Sequence, residues 1–252
     1  MIYKYSPYFI FKRLWGDRRQ YGLVRDVKDI DFVKWLSVCH KFYSETQKGT
    51  LGVWVNHLGY KVTSSIDFKG KTIAELGPEV IEHTQYHLSK PVKYMLVDID
   101  SVFLEKSKKI LVEQGYGDVE TVASDGNTIN IDDSSLDIIL TFNQLEHVTD
   151  LDNYVQEIKR VLKPGGLLVG AVPCEGGVAW GLGRFLTTRR YCKVNFDFNF
   201  DKVICWEHPN FVDHIKSVLG AHFKVVEKNY RPFAIPLMDI NLVFSFVYEN
   251  KK

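Results

Sequence analysis

Residues 136–173 read LDIILTFNQLEHVTDLDNYVQEIKRVLKPGGLLVGAVP. The apolar run Leu136–Phe142 has the length of a strand buried on both faces. It ends in Thr141, Phe142 and Asn143, and a polar-tipped turn follows, Gln144-Leu145-Glu146-His147. A helical period over Leu151–Leu162 then stops at Lys163-Pro164-Gly165-Gly166, and a second buried strand begins at Leu167. Apolar strands joined by an amphipathic helix form the repeating unit of a parallel sheet.

The same texture extends in both directions. Upstream, strands are predicted at Thr72–Leu76, Val92–Val97 and Glu120–Ala123, with helices over Val80–Leu88 and Ser101–Glu113. Downstream come a helix over Asn210–Leu219 and strands at Phe223–Lys228 and Asn241–Tyr248, with no helix between those two strands. Seven strands alternating with helices predict an α/β, doubly wound, mostly parallel sheet with right-handed crossovers. Residues 1–70 read as a helical, aromatic-rich preface. Its main helix opens at Asp29-Ile30-Asp31 and runs to Thr46 on a stripe of Phe32, Trp35, Leu36, Cys39, His40 and Tyr43. Residues 71–252 form the α/β domain, and 174–205 an irregular insert rich in glycine and aromatics.

Composition excludes several classes. The 252 residues carry a net charge of +1, so no global field favours nucleic acid or a membrane surface. Locally, residues 1–25 hold six basic side chains against Asp17 alone, and 184–193 hold Arg184, Arg189, Arg190 and Lys193 without an acid. These are either solvated surface or a local attraction for an anion. The four cysteines show neither a disulfide framework nor zinc spacing, so reduced thiols and no metal are expected. Lys4, Pro7, Lys12 and Arg13 interrupt the N-terminal apolar residues, and neither a signal peptide nor a membrane span is read there. A cytoplasmic location is the expectation.

In doubly wound sheets, ligands bind beyond the carboxyl ends of the strands. The first such end is Glu75-Leu76-Gly77-Pro78, where a glycine admits a ligand close to the backbone and a helix N-terminus favours a carboxylate. At the second, Asp98 and Ile99 lie about 20 residues on, the spacing of an acid that accepts from ribose hydroxyls. Asp98 or Asp100 could instead cap the helix at Ser101, a role that suits Asp100 better. The third, Ser124-Asp125-Gly126, pairs an acid for an exocyclic amine with a glycine that admits a ring, and it also reads as a plain turn. Asn143 to His147 form the fourth.

Taken in order, ELG at 75–77, VDI at 97–99, SDG at 124–126, LDIIL at 136–140, LEHV at 145–148 and RVLKPGG at 160–166 resemble the class I S-adenosylmethionine-dependent methyltransferases related to ubiquinone and small-molecule methylating enzymes. The resemblance covers about 71–173 and more weakly the rest. It implies a Rossmann-like seven-stranded sheet with an antiparallel last strand. S-adenosyl-L-methionine would be the cofactor and S-adenosyl-L-homocysteine the product. Gly77 would lie against the methionine moiety, with Glu75 supporting its amino group; Asp98 would hold ribose and Asp125 adenine. One departure stands out: Glu79 and Ile81 occupy positions where the family has further glycines.

Methyl transfer needs alignment of the acceptor and exclusion of water; a hydroxyl acceptor also needs a base. His147 and His208 are the candidates, each with a structural alternative as a packing or helix-start residue, and Glu207 could orient either. His40, His57, His83, His87, His214 and His222 read as structural. Glu146, Glu207, Arg184, Arg189 and Arg190 are candidate acceptor contacts, the arginines suiting phosphate or carboxylate. The expected function is methyl transfer to a small-molecule or saccharide hydroxyl, in an acceptor that could be anionic. The alternative is a methyltransferase-fold binding or scaffold protein with turnover impaired by the 77–81 loop. A nicotinamide dehydrogenase is disfavoured because G-x-G-x-x-G is missing after the first strand. Asp98-Ile99-Asp100 also matches the D-x-D of glycosyltransferases, against which the LKPGG context argues.

Overall fold

The computed structural model describes residues 1–46, 50–78 and 81–251, with the side chains of 40, 43–46, 50 and 51 outside the description. Seven strands form one sheet: β1 (Thr72–Leu76), β2 (Lys93–Asp98), β3 (Val119–Ala123), β4 (Leu136–Phe142), β5 (Leu162–Pro173), β6 (Phe223–Arg231) and β7 (Val243–Asn250). Their spatial order is β3-β2-β1-β4-β5-β7-β6. The first five are parallel, and β7 runs antiparallel between β5 and β6. Strand order therefore reverses between β1 and β4, and Gly77 and Asn143 sit together at that switch point.

The helices are α1 (Tyr8–Trp15), α2 (Arg18–Tyr21), α3 (Ile30–Thr46), α4 (Thr50–Tyr60), α5 (Ser101–Glu113), α6 (Leu151–Val161), α7 (Val178–Leu186), α8 (Thr188–Asn195), α9 (Phe200–Glu207) and α10 (Val212–His222). One face of the sheet is covered by the apolar stripes of α6 and α10, whose Leu151, Val155, Ile158, Val212 and Ile215 are almost fully buried. The other face packs against Leu104 and Leu111 of α5 and against Tyr60, Val62, Ile66 and Phe68. Asp100 caps α5 by accepting from Val102 N at 2.8 Å, the role the sequence favours for it.

The predicted strands and the two long crossover helices appear within a few residues of their expected limits. The helix expected over Val80–Leu88 does not: its described residues hold only a 3-10 turn, His83–Tyr86. The side chains of His83 and His87 are tied to Glu75 and Tyr116, and these tertiary bonds hold a tighter turn than the helical period suggests. Glu79 lies outside the described residues.

The KPGG segment is a bulged entry into β5. Register shifts between Leu136 and Ile138, Gly165 takes φ +74°, and Lys163 Nζ bonds Asp137 Oδ1 at 2.9 Å. Asp137 Oδ2 accepts from Thr72 N at 2.9 Å, so one carboxylate ties three strands at their entry end. This part of the signature is scaffold.

The preface and the insert interlock. Phe32, Trp35 and Phe42 of α3 share a core with Cys192, Phe200, Val203 and Trp206 of α8 and α9. Leu14 and Trp15 of α1 pack beside Phe211, and α1 also lies on α7. The result is a cap beside the strand ends.

Candidate active site

The described loops at the carboxyl ends of β1 to β4 converge as the topology requires. Gly77 has φ +69°, and its amide donates to Val97 O at 2.9 Å. A Cβ there would lie 2.7 Å from Gln144 Cγ, so Gln144 lies directly against the glycine. Gln144 Oε1 accepts from Thr141 Oγ1 at 3.3 Å, and its side chain also bonds the buried Tyr154 hydroxyl. Asp98 is half-buried; burial raises its pKa, partly offset by the Asp100 amide at 2.8 Å. Its charge also helps raise the Tyr154 pKa, behind burial.

Ile99 is exposed, and a Cβ on Gly126 would lie 3.5 Å from Ile99 Cγ2. Asp125 Oδ1 accepts from Asn127 N and Thr128 N at 2.8 and 2.7 Å, and these amides lower its pKa. The plain-turn reading of that segment is thus realised, and the carboxylate remains exposed. Ser124 Oγ accepts from Gly126 N and donates to Thr128 O. Asn143 has φ +51°, and its side chain donates to Asn56 Oδ1 at 3.3 Å. Glu75 is buried and turned away from these loops: it accepts from Tyr94 Oη at 2.5 Å and bonds His83 Nε2 at 3.0 Å. Pro78 O accepts from Ser107 Oγ at 2.6 Å, anchoring the loop to α5. Gly77, Asp98, Ile99 and Gly126 thus gather beyond the carboxyl ends of β1, β2 and β3.

A second polar group lies where β4 and β5 meet the cap. His208 Nδ1 is 2.7 Å from Glu175 Oε1, which also accepts from Trp180 Nε1 at 3.0 Å. Burial alone would raise the Glu175 pKa, but His208, Arg18 and Trp180 overcome it and hold it at about 2. Burial opposes protonation of His208; the charge and bond of Glu175 outweigh this and raise its pKa. The His147 and His208 rings meet edge to face at 4.5 Å between centroids. Burial, with His208 alongside, drives the His147 pKa down to about 3. Glu146 is 1 % exposed, its Oε2 has no hydrogen-bond partner in the protein, and burial raises its pKa to about 8. Arg18 closes the group by donating to His208 O and Pro209 O at 2.7 and 2.9 Å.

Several acceptor-side expectations change. Arg184 is buried and donates twice to Leu14 O, at 3.1 and 2.6 Å. Arg189 forms a two-bond pair with Asp201. Both hold the cap together and are not presented to a ligand, because the insert needs internal charge pairing to close its small core. Arg190 is exposed. Glu207 lies 3.9 Å from Arg25 and meets His147 through its backbone, not its carboxylate. Tyr154, Glu175 and Arg18 join these groups without being marked in the sequence, whereas Gln144 lies in the 143–147 loop that the sequence marks. Tyr154 reads as one more member of the apolar stripe of α6, while Glu175 and Arg18 belong to no motif.

Residues 76–170 match the family model described as a methyltransferase domain. The chain is similar to the ubiquinone/menaquinone biosynthesis C-methyltransferase UbiE of Hahella chejuensis, 36% identical over 78 residues, which is 31% of each chain. It is also similar to the mitochondrial 2-methoxy-6-polyprenyl-1,4-benzoquinol methylase of Leishmania donovani, 24% identical over 111 residues, 44% of this chain and 35% of that one. The chain thus spans about a third of the length of these curated relatives. Among solved structures, it is similar in fold to the N-methyltransferase NodS of Bradyrhizobium japonicum in complex with S-adenosyl-l-homocysteine, with TM-score 0.58, 12% identity and coverage of 87% and 99%. A SAM-dependent methyltransferase from Aquifex aeolicus aligns with TM-score 0.55, 14% identity and coverage of 84% and 97%. The reversed strand order and the inserted antiparallel β7 are thus the fold shared with these solved structures, and residues 76–170 are similar to a methyltransferase domain.

Proposed function

We propose that this protein transfers a methyl group from S-adenosyl-L-methionine to a small-molecule hydroxyl-bearing acceptor held between the ends of β4 and β5 and the cap. Bound in the loops after β1 to β4, the cofactor supplies an electrophilic methyl group. The Gly77 loop, with Gln144 against it, meets the methionine end, Asp98 accepts from ribose, and Ile99 with Gly126 receives the base, beside the Asp125 carboxylate.

The observation that carries the acceptor reading is the 2.7 Å bond between His208 Nδ1 and Glu175. With Nδ1 held by a carboxylate, Nε2 is the nitrogen for taking a proton from the acceptor, and Glu175 stabilises the imidazolium that results. Glu146, protonated at neutral pH, offers its unpartnered Oε2 as a hydrogen-bonding contact to the same acceptor. A deprotonated hydroxyl is nucleophilic at oxygen, and a conjugated one at carbon as well. Oxygen is the proposed target, and the methyltransferase domain match at residues 76–170 lies outside the cap. Because Arg184 and Arg189 are engaged inside the cap, the proposed acceptor is neutral, such as a phenol or saccharide.

Calorimetry with S-adenosylmethionine and S-adenosylhomocysteine tests the first half, and an absence of binding at high micromolar ligand would favour the scaffold reading. A panel of neutral and anionic hydroxyl compounds, with products assigned by NMR, tests the second. Turnover confined to carboxylated or phosphorylated acceptors would overturn the neutral assignment.

A further inference from the structure

Three adjoining segments of the cap side carry large apolar side chains in solvent. In α1, Leu14 and Trp15 face inward while Phe9 is 61 % exposed, and the preceding turn leaves Tyr5 86 % and Ile2 55 % exposed. Helix α7 lies against α1 so closely that a Cβ on Gly181 would sit 2.7 Å from Trp15 Nε1, and it exposes Leu186. The 232–240 loop joins both: Ile2 N donates to the Asp239 carboxylate at 3.2 Å, and Ala179 N donates to Asp239 O at 2.8 Å. That loop exposes Phe233 and Leu237. Scattered apolar residues are ordinary on a protein surface, but their concentration on connected segments marks an interaction face.

The exposed charges of α1 and α2 beside this face are cationic, while the acids Asp239 and Asp213 are engaged with Ile2 N and Lys4. Asp17, the lone acid among residues 1–25, is buried and takes bonds from the Tyr8 hydroxyl and Gln20 N. Lys4 is matched by Asp213 at 2.7 Å. Lys12 and Arg13 are exposed on the same short helix as Phe9, and Lys12 and Arg19 lie 5.7 and 4.8 Å from the Tyr8 ring centre. Aromatic and aliphatic tips interleaved with cations fit an interface of acyl chains and anionic headgroups. A second protein copy fits less well, because the core of such an interface is depleted of charge. No helix among the described residues is long and apolar enough to cross a membrane, so any association of this face is superficial. We infer that the outer face of α1, α7 and the 232–240 loop docks on the surface of an anionic lipid bilayer, an inference independent of the acceptor reading.

Co-sedimentation of the full chain with phosphatidylcholine vesicles, with and without phosphatidylglycerol, tests it. Binding is expected to the anionic vesicles, to fall with added salt, and to weaken about fivefold for each of Lys12→Glu and Arg13→Glu. Phe9→Ser and Phe233→Ser should also release the protein, and unchanged S-adenosylmethionine affinity would show these exposed-site variants to be folded. Equal partition onto neutral and anionic vesicles, no partition at low salt, or binding indifferent to all four substitutions would overturn the proposal. So would a concentration-dependent dimer, abolished by Phe9→Ser, that does not bind vesicles.

Discussion

His83 Nε2 lies 3.0 Å from Glu75 Oε1, joining the signature acid of β1 to the turn that replaces the expected first crossover helix. Tyr94 donates to the other carboxylate oxygen at 2.5 Å. With His83 donating from Nε2 to Glu75, its Nδ1 accepts from His87 Nε2 at 3.1 Å. His87 Nδ1 in turn accepts from Tyr116 Oη at 2.9 Å. Every donor in this chain points towards Glu75, and burial, which drives the His87 pKa down to about 3, keeps that imidazole neutral. His83→Phe is expected to cost about 1–3 kcal/mol by leaving a buried carboxylate oxygen unpaired, measured by urea unfolding at neutral pH. An unchanged midpoint would show that the relay does not hold the turn.

At the end of β2, Asp98→Ala should weaken S-adenosylmethionine binding by about 1–3 kcal/mol through loss of charge-assisted hydrogen bonds. Isothermal calorimetry reads this directly. Unaltered affinity would place the ribose elsewhere.

The pH–rate profile separates the two histidines. His208 has a raised pKa, so its basic form, and with it turnover, should increase as pH rises through a value above 6.5. His208→Ala should flatten that limb and lower kcat by about 100-fold or more. His147, with a pKa near 3, is neutral throughout the physiological range and should contribute no inflection there. Of the two histidine candidates, burial disfavours His147 as the base, and the pairing with Glu175 favours His208. Should His147→Ala alone remove the neutral-pH limb, His147 would be the base instead.

Glu146 makes stability fall from acid to mildly alkaline pH. Its folded pKa of about 8 lies above the ordinary 4.5, so the protonated form's contribution is complete below pH 4.5 and is lost as pH rises through about 8. The full loss is on the order of 5 kcal/mol. Glu146→Gln should remove this component, leaving the variant's stability less dependent on pH between 5 and 9 than the wild type's. Parallel unfolding curves for the two proteins across that range would refute the assignment.

Hydropathy period and turn residues were enough for the sheet. Strands β1 and β4 and helix α5 lie where alternation and capping place them, because each is a contiguous segment whose burial pattern follows its own residues. The loops proposed to hold the cofactor were legible for the same reason: Gly77 follows β1, Asp98 ends β2 and Gly126 lies shortly past β3, and parallel topology brings strand ends together. What remained hidden depends on partners distant in the chain. Glu175 meets a histidine 33 residues away, and Arg184 meets a carbonyl 170 residues away. Local sequence chemistry therefore determined the fold and which loops gather at the ends of the parallel strands. Only tertiary packing decided which histidine can accept a proton, which arginines face inward and which carboxyl stays protonated, since each depends on the burial and charge that distant segments supply.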